Sequence, residues 1–149
     1  MLTTRTASFR DIPALVGMMR DFYAESNCLL DTNRAENAFT TLLSNRDTGR
    51  VIIASDGAAA GYVVLTLRYN IETGVFDGYV DDLYVVPKLR RRRIASELLA
   101  HLFREAVQQR LSAVHVEADL KNIAAIALYE RHGMENAHLG VLTRQLGKA

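Results

Sequence analysis

Apolar residues recur at Ile12, Leu15, Val16, Met19, Phe22 and Tyr23, the three-and-four spacing of a helix with one buried face, and the pattern runs to about Glu25. Asp11 stands where a cap belongs and Pro13 falls in the first turn. Ahead of it, residues 2–7 form a Thr-rich run with strand propensity. A second helical stripe, Ala35, Ala38, Phe39, Leu42 and Leu43, follows the cap candidate Asp31, with residues 26–30 as connector. The period then changes. Residues 50–55 and 61–69 are β-rich runs on either side of Asp56-Gly57, a tight-turn signal, and residues 70–74 turn the chain into a third run from Val75. These runs predict an antiparallel meander of three strands.

The stretch from Gly78 to Ala106 organises the rest. Strict alternation would put Tyr79, Asp81, Leu83 and Val85 on one side of a strand and Val80, Asp82, Tyr84 and Val86 on the other. Pro87 ends that strand, because it cannot donate to a ladder. From Ile94 onward, Ala95, Leu98, Leu99, Leu102, Ala106 and Val107 mark an amphipathic helix whose first turn opens at Arg90, Arg91, Arg92 and Arg93. The unpaired N–H groups and positive dipole end of such a turn suit phosphate. Residues 113–118 read as a fifth strand, joined through the helix and so lying parallel beside the central one. Residues 123–132 predict a further helix stopped by Gly133, and the mixed alternation of 134–146 predicts one or two last strands. The expected fold is α/β with a mixed sheet: a meander, then a parallel β-α-β crossover, with helices on both faces and one domain over residues 1–149.

Composition narrows the function. About half of the 149 residues are apolar, enough for a substantial core, and a formal net charge of +1 gives no global attraction to nucleic acid. Four arginines at a helix start splay around its axis without interleaved aromatics, which also argues against a nucleic-acid partner. The lone Cys28 permits no internal disulfide and reads as a small half-buried hydrophobe in a reducing compartment. No apolar window approaches the ~18 residues of a membrane span, and the N-terminus has no basic-then-apolar leader, so a cytoplasmic protein with no membrane partner is expected. His101, His115, His132 and His138 fall on different elements without ligand spacing, so no metal is expected and no His-based triad emerges.

Two motifs carry a family resemblance. Asp82-Leu83-Tyr84-Val85, then Pro87, then Arg90 through Ala95, resembles the strand and pyrophosphate loop of the GNAT superfamily of acetyl-CoA-dependent N-acetyltransferases, with Arg93 where that loop has its central Gly and Arg91 where Gly is also frequent. Asn122-x-x-Ala125-x-x-Leu128-Tyr129-x-x-x-Gly133-Met134 resembles the second conserved run of that family, in the right order about thirty residues on. The resemblance implies acetyl-CoA as co-substrate. It implies that Leu83, Tyr84, Val85, Arg90, Arg91, Arg92, Arg93, Ile94, Ala95 and Ser96 form the cofactor cradle and that Asn122 contacts the pantetheine or pyrophosphate arm. It further implies that Tyr129 holds its hydroxyl near the thioester sulfur, and that the region between the first two helices lines the acceptor site, with Tyr23, Asn27 and Asp31 as possible contacts.

Moving an acetyl group from a thioester to an amine requires a neutral amine, a stabilised oxyanion and a proton for the departing thiolate. An amine with pKa ~10.4 is only ~0.04% neutral at pH 7, a deficit of roughly 4.6 kcal/mol, so a proton acceptor is needed. Asp81 and Asp82 are the candidates, with Glu117 in reserve; alternation lets only one of the pair reach the acceptor, and a bulge would decide which. The resemblance implies that a backbone N–H of residues 83–85 holds the oxyanion where two parallel strands splay apart, and that Tyr129 protonates sulfur. At Arg93 the loop keeps its N–H; ordinary helical dihedrals there would bring little strain and a positive φ would cost about 1 to 2 kcal/mol, so weakened but retained coenzyme A binding is expected. The alternative is a non-catalytic acyl-CoA-binding or sensor module. Glu72 and Asp77 before the acidic strand lean toward a cationic small-molecule or peptide amine such as a polyamine or a lysine-like acceptor, and a last strand at a sheet edge suggests a homodimer.

Overall fold

The computed structural model describes residues 1–147. Five strands, β1 (Thr3–Thr6), β2 (Gly49–Asp56), β3 (Ala58–Asn70), β4 (Val75–Val85) and β5 (Val114–Val116), lie side by side in chain order. All neighbours pair antiparallel except β4 and β5, which are parallel, so the meander and the crossover are both present as expected. Helices α1 (Ile12–Ala24) and α2 (Thr32–Ser44) cover one face. Helices α3 (Ile94–Gln108) and α4 (Ile123–Arg131) cover the other. Asp31 caps α2 by accepting the Arg34 N–H at 3.2 Å. Asp11 stands at the N-cap position of α1 but turns its carboxylate to Ser8 and Arg5, whose guanidinium holds it at about 2, below the usual carboxylate range.

Period-two alternation sorts the sheet into two cores. Val51, Ile53, Tyr62, Val64 and Tyr84 pack with Leu15 and Phe39 of α1 and α2. Ile52, Val63, Leu65, Val80 and Val85 pack with Ile94, Leu98, Leu99 and Leu102 of α3. Each such buried side chain stabilises the fold by about 1.5 to 3 kcal/mol relative to exposure. At Gly61 a Cβ would sit 2.5 Å from the Tyr84 carbonyl oxygen, so only glycine lets β3 close on β4 beside the end of the central strand.

The pairing of β5 with β4 is brief, covering Gly78–Val80 against Val114–Val116. A buried polar knot holds it. Asp77, 2% exposed, accepts from Ser112 Oγ, from His115 Nε2 at 2.9 Å and from Asn70 Nδ2 at 3.0 Å. These donors, Ser112 first, hold its carboxyl below the usual range. A lowered folded-state pKa means stability that is present above the unfolded value and lost as pH falls through the folded one. Asp77→Ala is therefore expected to cost about 2 to 3 kcal/mol in urea unfolding at pH 7, by removing the buried carboxylate that accepts three side-chain hydrogen bonds. The difference from the parent chain should shrink progressively below about pH 4.

Three expectations change. Residues 134–147 form no strand: β5 is three residues long, His138 takes a positive φ of 56°, and Leu139, Val141, Leu142 and Leu146 are exposed. A dimer made through a last strand has no such strand among the described residues to rest on. Cys28 is exposed, because the α1–α2 connector turns outward at Asn27, where φ is 56°. Asp77 faces its own hydrogen-bond partners and Glu72 sits in the exposed β3–β4 turn, so neither lines the cavity described below.

Candidate active site

The site begins with a bulge. Val64 pairs with Asp82 but Leu65 pairs with Val80, leaving Asp81 as an extra residue in β4 without a partner. Strict alternation is broken there. Asp82 and Tyr84 point to the α1/α2 side and Leu83 and Val85 to the α3 side, as expected, but Asp81 is pushed out so that both carboxylates line one cavity between the sheet and helices α1 and α2. The expectation that only one aspartate reaches the pocket is thus corrected.

That cavity measures about 240 Å³. Its walls are Met19 of α1, Ala38, Phe39 and Leu42 of α2, and Val64 of β3. Its polar groups are Asp81, Asp82 and Tyr23. Tyr62 donates its hydroxyl hydrogen to Asp82 Oδ2 at 3.0 Å, and Tyr23 donates to Oδ1 at 3.5 Å. Burial pushes the Asp82 carboxyl above the usual range, the Tyr62 hydroxyl opposes this, and the neighbouring Asp81 charge adds to it. Burial and the Asp82 charge also raise both phenols, Tyr23 to about 12, so both stay protonated donors at neutral pH. Among the described residues neither aspartate has an ion-pair partner.

Beyond Val80 the two parallel strands part, so the β5 side of residues 81–85 is unpaired. The Val86 N–H bonds back to the Ala60 carbonyl on β3, and by alternation the N–H groups of Leu83 and Val85 face the gap. The chain then passes through a 3-10 turn (Pro87–Leu89) into the arginine loop. Arg90 is spent internally: its Nε–H donates to the Val85 carbonyl at 2.9 Å, Nη2 donates to Glu25 Oε1 and Oε2 at 3.0 and 2.8 Å, and the guanidinium lies over the Tyr84 ring. It therefore ties the end of β4 to the end of α1. Arg91, Arg92 and Arg93 are exposed and make no ion pair among the described residues.

Arg91 and Arg93 both adopt left-handed backbone, with φ of 65° and 63°, and Arg93 is the N-cap of α3. Among the described residues the N–H groups of 91–96 have no backbone acceptor, and the loop's positive φ angles turn them into a concave nest at the dipole end of α3. A diphosphate fits this donor set. The left-handed angles explain why glycine suits these places: each costs a non-glycine residue about 1 to 2 kcal/mol. The double variant Arg91→Gly, Arg93→Gly is expected to gain roughly 1 kcal/mol in urea unfolding after the greater unfolded-state entropy of glycine is subtracted, with acetyl-CoA affinity unchanged or higher. A loss of stability in that variant would show that the arginine side chains hold the loop.

Helix α4 closes the far side. Asn122 caps it by accepting the Ala125 N–H at 3.1 Å, so its side-chain oxygen is already engaged. His132 at the other end lies 3.0 Å from Ser96 Oγ and stacks on Phe103, fixing α4 against the first turn of α3. Tyr129, one turn earlier on that face, packs in the same cluster as Leu83, Ile94 and Ala95. Burial raises its phenol, which has no hydrogen-bond partner among the described residues. Of the other expected contacts, Tyr23 lines the cavity, Asn27 and Asp31 do not, and Glu117 is exposed in the irregular segment after β5. Tyr62, Glu25 and the apolar walls were not singled out from the sequence. Tyr62 and Val64 differ in no local way from the other apolar residues of β3, and only the register with Asp82 marks them.

A five-stranded mixed sheet that splays beside an amide nest at a helix N-terminus is an arrangement that could hold an acyl-CoA, and sequence comparison gives the class of protein. Residues 15–134 match the Acetyltransferase (GNAT) family, so the chain belongs to that family and is an acyltransferase. It is 24% identical over 109 residues to the aminoalkylphosphonate N-acetyltransferase of Salmonella typhimurium, covering 73% of this chain and 71% of that one. It is 33% identical over 81 residues to the N-alpha-acetyltransferase MAK3 of Arabidopsis thaliana, covering 54% of this chain and 42% of the plant protein. Among solved structures, the integron cassette protein HFX_CASS3 from the mobile metagenome of Cole Harbour salt marsh superposes with a TM-score of 0.90 at 31% identity, over 98% of this chain and 91% of that one. No helix among the described residues is long and apolar enough to cross a membrane.

Proposed function

We propose that the protein transfers the acetyl group of acetyl-CoA directly to a primary amine, with Asp82 as proton acceptor and Tyr129 as proton donor. The observation that carries this reading is the gap between β4 and β5, which has the paired aspartates on one face of the sheet and Tyr129 with the α3 amides on the other. The amide nest of residues 91–96 would hold the diphosphate, with Arg91, Arg92 and Arg93 adding positive charge around it. Arg90 would act by keeping the end of β4 against α1 through Glu25. Asn122 would shape the pantetheine path as the cap of α4.

The acetyl thioester supplies an electrophilic carbonyl carbon and a thiolate leaving group. The ammonium of the acceptor gives a proton to Asp82, whose raised proton affinity narrows the gap to the amine. The free nitrogen pair then attacks the carbonyl carbon, and the Leu83 or Val85 N–H faces the oxygen on which charge develops. The C–N bond forms, the C–S bond breaks, and Tyr129 delivers its hydroxyl proton to sulfur. The released protons on the nitrogen and on Asp82 pass to solvent and restore the phenol. Amine-dependent thiol release from acetyl-CoA, with the N-acetyl product identified by mass spectrometry, tests the reaction. Thiol release that does not depend on any amine, despite bound acetyl-CoA, would leave a binding or sensor module as the better description.

A further inference from the structure

The acceptor cavity has an unusual charge pattern. Two adjacent carboxylates open into it with no cation facing them among the described residues, and Asp82 is satisfied only by two neutral phenols. Asp82 is half-buried and Asp81 is exposed beside it, so the pair draws a positive ligand group, and it is the half-buried Asp82 carboxylate that is costly to leave without a counter-charge. Away from this acidic end the walls turn apolar: Met19, Phe39, Leu42 and Val64 offer no donor or acceptor side chain. The cavity is also small. At ~30 Å³ per water in the liquid, 240 Å³ is the volume of roughly eight waters, so the part of the acceptor held there is small, while one side of the cavity is open to solvent.

From this we infer that the acceptor is a small, singly charged primary amine with an apolar body, such as a short alkylamine or a phenylalkylamine, its ammonium at Asp81 and Asp82 and its body against Met19, Phe39 and Leu42. The inference rests on the proposed reading of this cavity as the acceptor site. A second ammonium at the far end, as in a polyamine, would be stripped of water against Phe39 and Leu42 without a partner. A phosphonate or carboxylate would meet no cation in the lining and would lie near two negative charges. The site thus differs in chemistry from what the name of the Salmonella relative describes.

The test compares 2-phenylethylamine, pentylamine, spermidine and 2-aminoethylphosphonate as acceptors for the full chain, by kcat/KM for thiol release. The two apolar monoamines are expected to exceed the other two by at least about tenfold, the scale on which a pocket rewards apolar fit or leaves polar groups unpaired. Ala38→Leu, which narrows the cavity from the exposed side of α2, should lower kcat/KM for 2-phenylethylamine by about tenfold and leave the Kd for acetyl-CoA unchanged. In parallel, 2-phenylethylamine is titrated by calorimetry into the chain alone and into the chain saturated with coenzyme A. Binding that disappears in Asp82→Asn, even where acetyl-CoA is not used, supports the assignment of the cavity while the enzymatic reading fails. Acetyl-CoA turnover with spermidine or 2-aminoethylphosphonate preferred, or no binding of either apolar amine by a chain that takes up acetyl-CoA, overturns the inference.

Discussion

Asp82→Asn is expected to lower kcat/KM for acetyl transfer by about 10²- to 10⁴-fold at neutral pH, the range over which a positioned proton acceptor accelerates such a step. The fold should survive. Asn can still accept the Tyr62 hydroxyl hydrogen, and its removal of a charge relieves a cost that burial imposes on the carboxylate. The sign follows from linkage. A carboxyl whose folded pKa is raised stabilises the native state fully below the unfolded value, and that stability is lost as pH rises through the folded one. At pH 7 the Asn variant should therefore be as stable as its parent or slightly more so, and the parent's relative stability should improve on acidification. Activity runs the other way. Only the ionised carboxylate accepts a proton, so the parent's kcat/KM should climb as pH rises through the raised Asp82 pKa, and that limb should be missing in the variant. Equal activity of Asp82→Asn and parent across the pH range would move the proton acceptor elsewhere, with Asp81 the next group in the cavity.

Tyr129→Phe carries the second large effect. The phenol is raised by burial and has no protein partner among the described residues, so it is a retained proton poised without a competing acceptor. Its loss is expected to reduce kcat by about 10²-fold or more while changing the Kd for acetyl-CoA by less than about threefold, since the ring that packs against the α3-side core remains. A thiol ester with a more acidic thiol should be rescued, because its thiolate leaves without a proton. If Phe weakens acetyl-CoA binding as much as it slows turnover, Tyr129 is a packing residue of α4 and the thiolate is protonated by solvent.

Much of this arrangement was legible because local signals agreed with one another. Asp31 capped α2, Pro87 ended β4, Gly133 followed α4, and the order of strand, charged turn, helix and strand fixed the parallel step in the sheet. What escaped was decided by residues distant in sequence. Whether Asp81 and Asp82 diverge or converge depends on a bulge, and the bulge is a property of the β3–β4 register that neither strand shows alone. Tyr62 grips Asp82 across twenty positions of chain, and Arg90 finds Glu25 across sixty-five, so the arginine loop gives up one of its four arginines to a structural tie. The last segment misled for the opposite reason. Its alternation is real, but a strand needs an edge to pair with, and β5 offers three residues. The left-handed Arg91 and Arg93 show how a loop can depart from glycine at the cost of strain while its N–H groups stay free for the diphosphate proposed there.

The proposed reaction depends on those amides holding the coenzyme. Calorimetric titration of acetyl-CoA into the chain at low salt tests them most directly: one molecule per chain is expected, with a Kd in the range of about 1 μM to 1 mM typical of enzyme co-substrates and weakening as salt screens the arginines. No heat and no saturable binding at millimolar acetyl-CoA, in a chain that is folded by circular dichroism, would contradict it.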